Sequence, residues 1–425
     1  MEAALNLIRQ RVQETGRLDM VWMERALREA AMADAARLLE KFLNHEVAPM
    51  LGEPPLQPGE RLHSRPQRVV ATVLGPVRLT RAYYRGAHGG RFPLDEALGL
   101  RGRYTPAVRQ LMCWAGAMDG SFDLASETLR RFAGLDIPGR QIQRMVNATA
   151  PTAADWMQTR PAAPLPRPPA ILNIQTDMTG IPMRPEELAG ITGKQPDGTA
   201  KTRQIKVGCV FTQTCDAKGQ PQRDPSSSLY LTGFCEVTDF GLRLREEARR
   251  QGLAGAGTVV FLGDGAEWIW NLASDCFRGA VQIVDFYHAC EHLHRLCTLY
   301  ESDEQRCASL FKKWRGRLRN NGLARLLGEV EARAHALDKT AREQLVAETA
   351  YFRKNAARMA YRTFRRRGYF IGSGAVEGAC RHVVAQRTKL SGMRWFCCGA
   401  ENVLTFRTLI KSHLFDDYYR LSAAA

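Results

Sequence analysis

The sequence predicts an α/β catalytic domain interrupted by an all-α insertion and preceded by a mainly helical region that carries a β-hairpin. Three observations carry the prediction. Two apolar runs, ILNIQTD and TVVFLGD, read as buried strands ending in Asp177 and Asp264. The stretch 160–170, with Pro161, Pro164, Pro166, Pro168 and Pro169, holds too much proline for a helix or a central strand and divides the chain. Beyond it three strand patterns are followed by helix and strand in alternation.

Taken in order, residues 18–46 place Val21, Met23, Leu27, Ala31, Leu38, Leu39 and Phe42 at helical spacing, which predicts a helix or helix pair. Residues 65–86 alternate on either side of Gly75-Pro76, the pattern of a hairpin. From Thr105 to Val146 the pattern is helical again. Within it, 122–147 resembles a helix-turn-helix, with Gly134 in the turn and Gln141 and Arg144 on the second helix. A plain helical hairpin gives the same pattern, so both readings stay open.

Past the linker, strands are predicted at 171–177, 205–213, 229–237, 258–264 and 281–285, with helices at 239–252, at 267–276 and from His288. That is the element order of a ribonuclease-H-like α/β fold. Residues 302–370 read as wholly helical and precede the last carboxylate, so they form an insertion. The expected organisation is 1–159 as an amino-terminal region, 160–170 as linker, 171–301 and 371–425 as the two parts of the α/β core, and 302–370 as the insertion.

A chain of 425 residues exceeds what one core usually organises. Lys and Arg number 60 against 44 Asp and Glu, a net charge of +16, which suits a phosphate backbone as partner. Charge alone does not separate DNA from ribosomal or membrane surfaces. No apolar run reaches the roughly 18 residues of a membrane span, and no signal core follows Met1. The 11 cysteines include no C-x-x-C pair, which points to a reducing cytoplasm.

Asp264 follows Asp177 by 87 residues and Glu377 follows by a further 113, so only a folded sheet can gather the three. Gathered carboxylates repel one another unless divalent cations lie between them, which predicts two Mg²⁺ or Mn²⁺ ions. Two such ions cut and join phosphodiesters by activating the attacking oxygen and stabilising the leaving one. Taken singly, each acid reads first as a strand cap or a helix-start residue.

The segments QTDMTGIPM, AKTRQIKVG, GDGAEWIWNLA, IVDFYHACEH and GSGAVEGACRHVVAQRTKLSGMRW together resemble the ISKra-type family of bacterial insertion-sequence transposases, from Ile171 to about Arg407. A looser match includes YYRG and FPLDEALGL. The resemblance implies a DDE transposase with a ribonuclease-H-like fold, bacterial and nucleoid-associated, which cuts at element ends and joins the freed 3′-hydroxyl to target DNA. It also implies that residues 1–159 recognise the DNA ends of the element, and that more than one subunit assembles on DNA as a homo-oligomer. The triad carried over by motif is Asp177, Asp264 and Glu377. Two departures stand out: Met178 replaces the glycine of a DGTG pattern, and Gly86 and His88 stand where some relatives carry cysteines of a small knuckle.

Asp285 to His288 match a D-x-x-H element of related transposases, which makes His288 a candidate for contact with the scissile phosphate. The same stretch supports a rival: His288, Glu291 and His292 fit the H-x-x-E-H zinc-peptidase motif. A further alternative is a derivative that binds DNA without cutting it. Candidate DNA contacts are Arg381, one helical turn after Glu377, then Arg387, Lys389, Arg394 and Trp395. The run from Arg353 to Arg367 contains no acid and offers Arg362, Arg365 and Arg366 as a phosphate track. Of Trp268 and Trp270, two apart, one belongs in the core.

Overall fold

The structure is a computed structural model that describes residues 1–17, 19–50, 56, 58–87, 89–100, 102–165 and 167–422. Leu18, His88 and Pro166, each part of an expectation above, lie outside the described residues. Contacts divide the chain into two units, 1–149 with 417–425, and 150–416. The division falls inside the helix Gly139–Thr159, ahead of the proline-rich stretch.

In the first unit the helix Glu2–Thr15 precedes the long helix Met20–Phe42, which continues through a π-turn at Leu43–Val47. The hairpin forms from Gln67–Thr72 and Gly75–Thr80. Its turn is Val73-Leu74, and Gly75-Pro76 opens the second strand. Ala36 of the long helix packs on Val70, Val77 and Leu79. That helix also satisfies the open edge of the second strand: Glu40 accepts from the Arg78 N–H at 2.8 Å, and Asn44 bonds the Arg78 carbonyl and the Thr80 N–H at 2.8 Å each. Tyr83–Gly86 leaves the hairpin for a separate sheet with Arg61–Ser64 and Gly89–Arg91.

Residues 122–147 form a short helix, a π-turn and the start of a second helix. Ser121 caps Phe122–Thr128 through the Leu124 N–H, and Gly134 ends the following π-turn at φ +68°, a conformation costly for any residue with a Cβ. Val108, Met112, Ala125, Leu129, Ile137 and Ile142 close a small core. Arg144 is exposed and Gln141 half-buried on the helix that follows.

The second unit is a mixed α/β sandwich. Its strands are β1 (Ile171–Pro182), β2 (Thr202–Cys215), β3 (Leu229–Gly233), β4 (Thr258–Gly263) and β5 (Val281–Val284), joined by a short edge strand at Pro221–Arg223. They lie in the order β3-β2-β1-β4-β5. Strands β1, β4 and β5 are parallel, while β2 runs antiparallel to β1 and β3 antiparallel to β2. Residues 234–237, predicted as strand, turn instead into helix α1.

On one face of the sheet pack α1 (Val237–Arg250), α2 (Glu267–Cys276) and α3 (Phe286–Thr298), around Phe240, Leu244, Ile269, Trp270 and Leu293. Trp270 is buried and Trp268 half-buried. The inserted helices α4 (Glu304–Arg319), α5 (Leu323–Ala332), α6 (Lys339–Lys354) and α7 (Tyr361–Arg366) extend the same core through Trp314, Leu326, Phe352 and Tyr361. On the opposite face α8 (Gly374–Ala379) and α9 (Cys397–Lys411) cover Ile205, Val207 and Phe211 with Val376, Ala379 and Leu404. No helix among the described residues is long and apolar enough to cross a membrane.

Arg160, the first residue of the expected linker, is buried in this unit. Its guanidinium bonds Glu247 of α1 at 3.0 Å through Nη1, and both side chains are 6% exposed. Arg250 also bonds Glu247 at 3.0 Å. Removing Glu247 would leave the buried Arg160 without its acid, a change that typically costs about 3–5 kcal/mol, while Arg250 keeps Glu246 at 3.0 Å.

Candidate active site

Along β1, Asn173, Gln175 and Asp177 alternate with the apolar Leu172 and Ile174, and a strand sends alternate side chains to one face. Two contacts identify that face. The Gln175 Oε1 accepts from the Val376 N–H at 3.1 Å, and the Asp177 Oδ2 lies 3.5 Å from the Cys380 thiol. Val376 and Cys380 bracket Glu377, so α8 is docked along β1 with Glu377 beside Asp177.

Strand β4 brings the second acid. It pairs with β1 from Thr258 opposite Ile171 to Leu262 opposite Gln175. The same register carried two residues on sets Asp264 level with Asp177. Asp177 itself does not end its strand. β1 continues to Pro182 because residues 178–182 pair with 202–206 of β2, so the acid sits mid-strand.

Each carboxylate is held by a local bond. Asp177 Oδ1 accepts from the Met178 N–H at 2.6 Å, Asp264 Oδ1 accepts from the Ala266 N–H at 2.8 Å, and Glu377 accepts from the Ser373 hydroxyl. Asp177 and Asp264 are half-buried and Glu377 is exposed. Burial lifts the Asp177 carboxyl above the ordinary aspartate range, and the charges of Asp264 and Glu377 lift it further against the pull of the Met178 N–H. Asp177 therefore feels the charge of both other acids.

Sequence reasoning missed the residue that joins two of these elements. Asp285, fully buried at the start of α3, accepts from the His288 N–H at 2.6 Å through Oδ1 and from the Ser373 N–H through Oδ2. Its own N–H donates to the Gly263 carbonyl at 2.7 Å, immediately before Asp264, and the Phe286 N–H donates to the Ile371 carbonyl at 2.8 Å. Since Ser373 then bonds Glu377, Asp285 ties the loop of the second acid to the loop of the third. The signal was present in D-x-x-H, where an aspartate three residues before a helical N–H reads as an N-cap.

The insertion reaches the same loop. The Tyr351 hydroxyl of α6 donates to the Asp264 carbonyl at 3.0 Å. Gly265, at φ +106°, leaves room for that ring, since a Cβ there would stand 2.8 Å from it.

The other predicted site residues separate into those able to face a ligand and those used internally. His288 turns to Glu291, 3.4 Å from its Nδ1, and to the rings of His292 and Tyr351. His292 bonds Glu348 at 2.6 Å and stacks on Tyr351 at 3.6 Å between ring centres, and Glu291 is exposed. Arg387 is 1% exposed and lies 5.1 Å from the ring centre of Trp395. That burial removes Arg387 from the residues able to touch DNA. Trp395 is half-buried with its indole N–H bonded to the Thr388 carbonyl at 3.1 Å, so it braces this turn. Lys389 reaches the Thr179 hydroxyl, two residues beyond Asp177 on β1. Arg381 and Arg394 are exposed.

Among the described residues no three His, Cys, Asp or Glu side chains converge closely enough to hold a metal ion as they stand, and this covers the three acids as well as His288, Glu291 and His292. The acids nevertheless fit a hard divalent cation in their chemistry. They supply oxygen donors only, they lie on adjoining elements, and like charges stay apart until a cation lies between them.

Comparison with known protein families and with curated proteins finds no match. Among solved structures, the Drosophila P element transposase strand transfer complex is similar to this chain at 10% identity and a TM-score of 0.28, over 78% of this chain and 83% of that one. The site therefore stands on its own geometry.

Proposed function

We propose that the chain is a DDE transposase of the bacterial insertion-sequence kind, with a ribonuclease-H-like catalytic unit acting on DNA. The observation that carries this reading is the register of the adjacent parallel strands β1 and β4, which, carried one residue past the end of β4, sets Asp264 level with Asp177, with Glu377 docked beside Asp177. The strand order, with β2 alone reversed against four co-directional strands, supports the fold. The sequence resemblance supports the reaction.

Asp177, Asp264 and Glu377 would hold Mg²⁺ or Mn²⁺, which when bound supplies an activated attacking oxygen and stabilises the leaving oxygen. The chain's own part is placement. Asp285 and Ser373 fix the approach of Glu377, and Tyr351 fixes the loop of Asp264. Lys389 holds positive charge along β1 where a substrate phosphate brings negative charge. In the first step water oxygen bonds to phosphorus and the 3′ oxygen leaves as a hydroxyl. In the second, that hydroxyl oxygen bonds to a target phosphorus and the target's 3′ oxygen departs with the proton.

The zinc-peptidase alternative rests on the five-residue motif alone, since among the described residues no third ligand gathers beside His288 and His292. The test is incubation of the full chain with a plasmid carrying the DNA that flanks its reading frame. Nicks at fixed positions that need Mg²⁺ or Mn²⁺ and vanish with a chelator are expected. Intact plasmid with either ion contradicts the proposal.

A further inference from the structure

The insertion sorts its cations into two groups. Toward α5 and α2 they are neutralised: Lys313 bonds Glu329 at 2.9 Å, Arg317 and Arg333 share the same acid, Arg353 pairs with Glu331, and Lys354 bonds Glu267 at 2.9 Å. Arg358 lies 4.6 Å from the ring centre of Trp270 and bonds Gln282 at 2.7 Å. The run 353–367 is therefore not one continuous track, since its first half serves packing.

The second group has no acid to meet. Lys312, Arg315 and Arg319 recur on α4 at the spacing that puts side chains on one helical face, and all three are exposed. Arg362, Arg366 and Arg367 on and after α7 are exposed too. None of the six makes an ion pair among the described residues. No Asp or Glu occurs in the sequence between Glu304 and Glu329, or between Glu348 and Glu377.

The two helices are fastened together. Asn321, held at φ +63° after α4, donates to the Thr363 hydroxyl at 2.9 Å and accepts from the Arg362 N–H at 2.9 Å. They also reach the base of α3. The Arg315 guanidinium lies 5.6 Å from the ring centre of Phe286, the Tyr361 ring lies 5.0 Å from the same ring, and Phe286 directly follows Asp285. A rigid, acid-free basic face thus adjoins the element that ties the catalytic loops.

We propose that this α4–α7 face binds the phosphate backbone of duplex DNA and holds it against the catalytic unit. The inference rests on the reading of the chain as an enzyme acting on DNA and adds where the insertion grips that DNA. Unpaired cations fixed on one surface release counterions when they meet phosphates, so binding there is steep in salt and indifferent to sequence.

The test compares the full chain with two triple variants, Lys312→Ala/Arg315→Ala/Arg319→Ala and Arg362→Ala/Arg366→Ala/Arg367→Ala, on a duplex of arbitrary sequence over a series of KCl concentrations. Each variant is expected to lower the slope of log affinity against log salt by roughly 2–3, about one for each phosphate contact removed. Melting temperature should match wild type for the second variant, whose altered side chains are exposed, and fall slightly for the first, which loses the Arg315 contact with Phe286. Unchanged slopes in both variants would overturn the proposal. A loss confined to RNA duplex, with DNA binding intact, would overturn it as well. If the wild-type chain bound DNA but did not cut it, the catalytic reading would fail while the slopes still judged this face.

Discussion

Asp264→Asn is expected to reduce metal-dependent DNA cleavage by roughly 10³-fold or more while leaving DNA affinity near wild type. The substitution isolates charge from shape. Asparagine keeps an oxygen that can accept the Ala266 N–H, now bonded at 2.8 Å, so the loop after β4 has no reason to move. What disappears is one negative charge level with Asp177. A site that depends on hard cations loses both affinity for the ion and neutralisation of the charge that develops at phosphorus. Cleavage of end-containing DNA, measured beside a binding assay on the same duplex, checks this. Activity within tenfold of wild type would remove Asp264 from the site.

The second large effect is expected at Asp285, which touches no substrate in this account. Both its oxygens accept backbone N–H groups, those of His288 and Ser373, and it is fully buried. Asparagine offers one acceptor and turns an N–H₂ toward the other donor, which leaves a buried group unsatisfied at about 1–3 kcal/mol. The loop before α8 loosens, and Glu377 loses its fixed approach. Asp285→Asn should lower cleavage by roughly 10²-fold, and Ser373→Ala, which removes only the hydroxyl bond to Glu377, by roughly tenfold.

A positioning role has its own signature. Both variants should need more Mg²⁺ for half-maximal cleavage, and Mn²⁺ titrated into the free protein should bind more weakly. A purely structural role would instead lower the folded fraction with the metal dependence of the remaining activity unchanged. That outcome would return Asp285 to the class of simple helix caps.

Much of this site was legible because buried strands declare themselves as apolar runs. Strands passing through 174, 208, 231, 260 and 283 and the start of the Glu377 helix follow from pattern alone. Their extents do not. The first strand is predicted to end at 177, yet residues 178–182 extend β1 because β2 supplies antiparallel partners. The hairpin turn moved for a related reason: Thr72 faces Gly75 directly, which leaves Val73 and Leu74 to turn the chain.

Basic residues were the least readable. Arg387 and Arg394 look alike in sequence, but Arg387 is buried beside Trp395 while Arg394 is exposed. Arg353 and Lys354 belong to the same run as Arg366 and Arg367, but acids from other helices neutralise only the first two. Partners so distant in the chain cannot be found from local spacing. Asp285 was visible as part of a motif, yet its bond to Ser373 spans 88 residues and depends on how two loops meet.

The most direct measurement is anomalous diffraction from crystals of the full chain soaked in Mn²⁺, at a wavelength where manganese scatters anomalously. Anomalous density bounded by the carboxylates of Asp177, Asp264 and Glu377, and lost in Asp264→Asn, is the predicted result. Density at His288 and His292 instead, or ordered carboxylates with no ion among them at saturating Mn²⁺, would contradict a shared cation site.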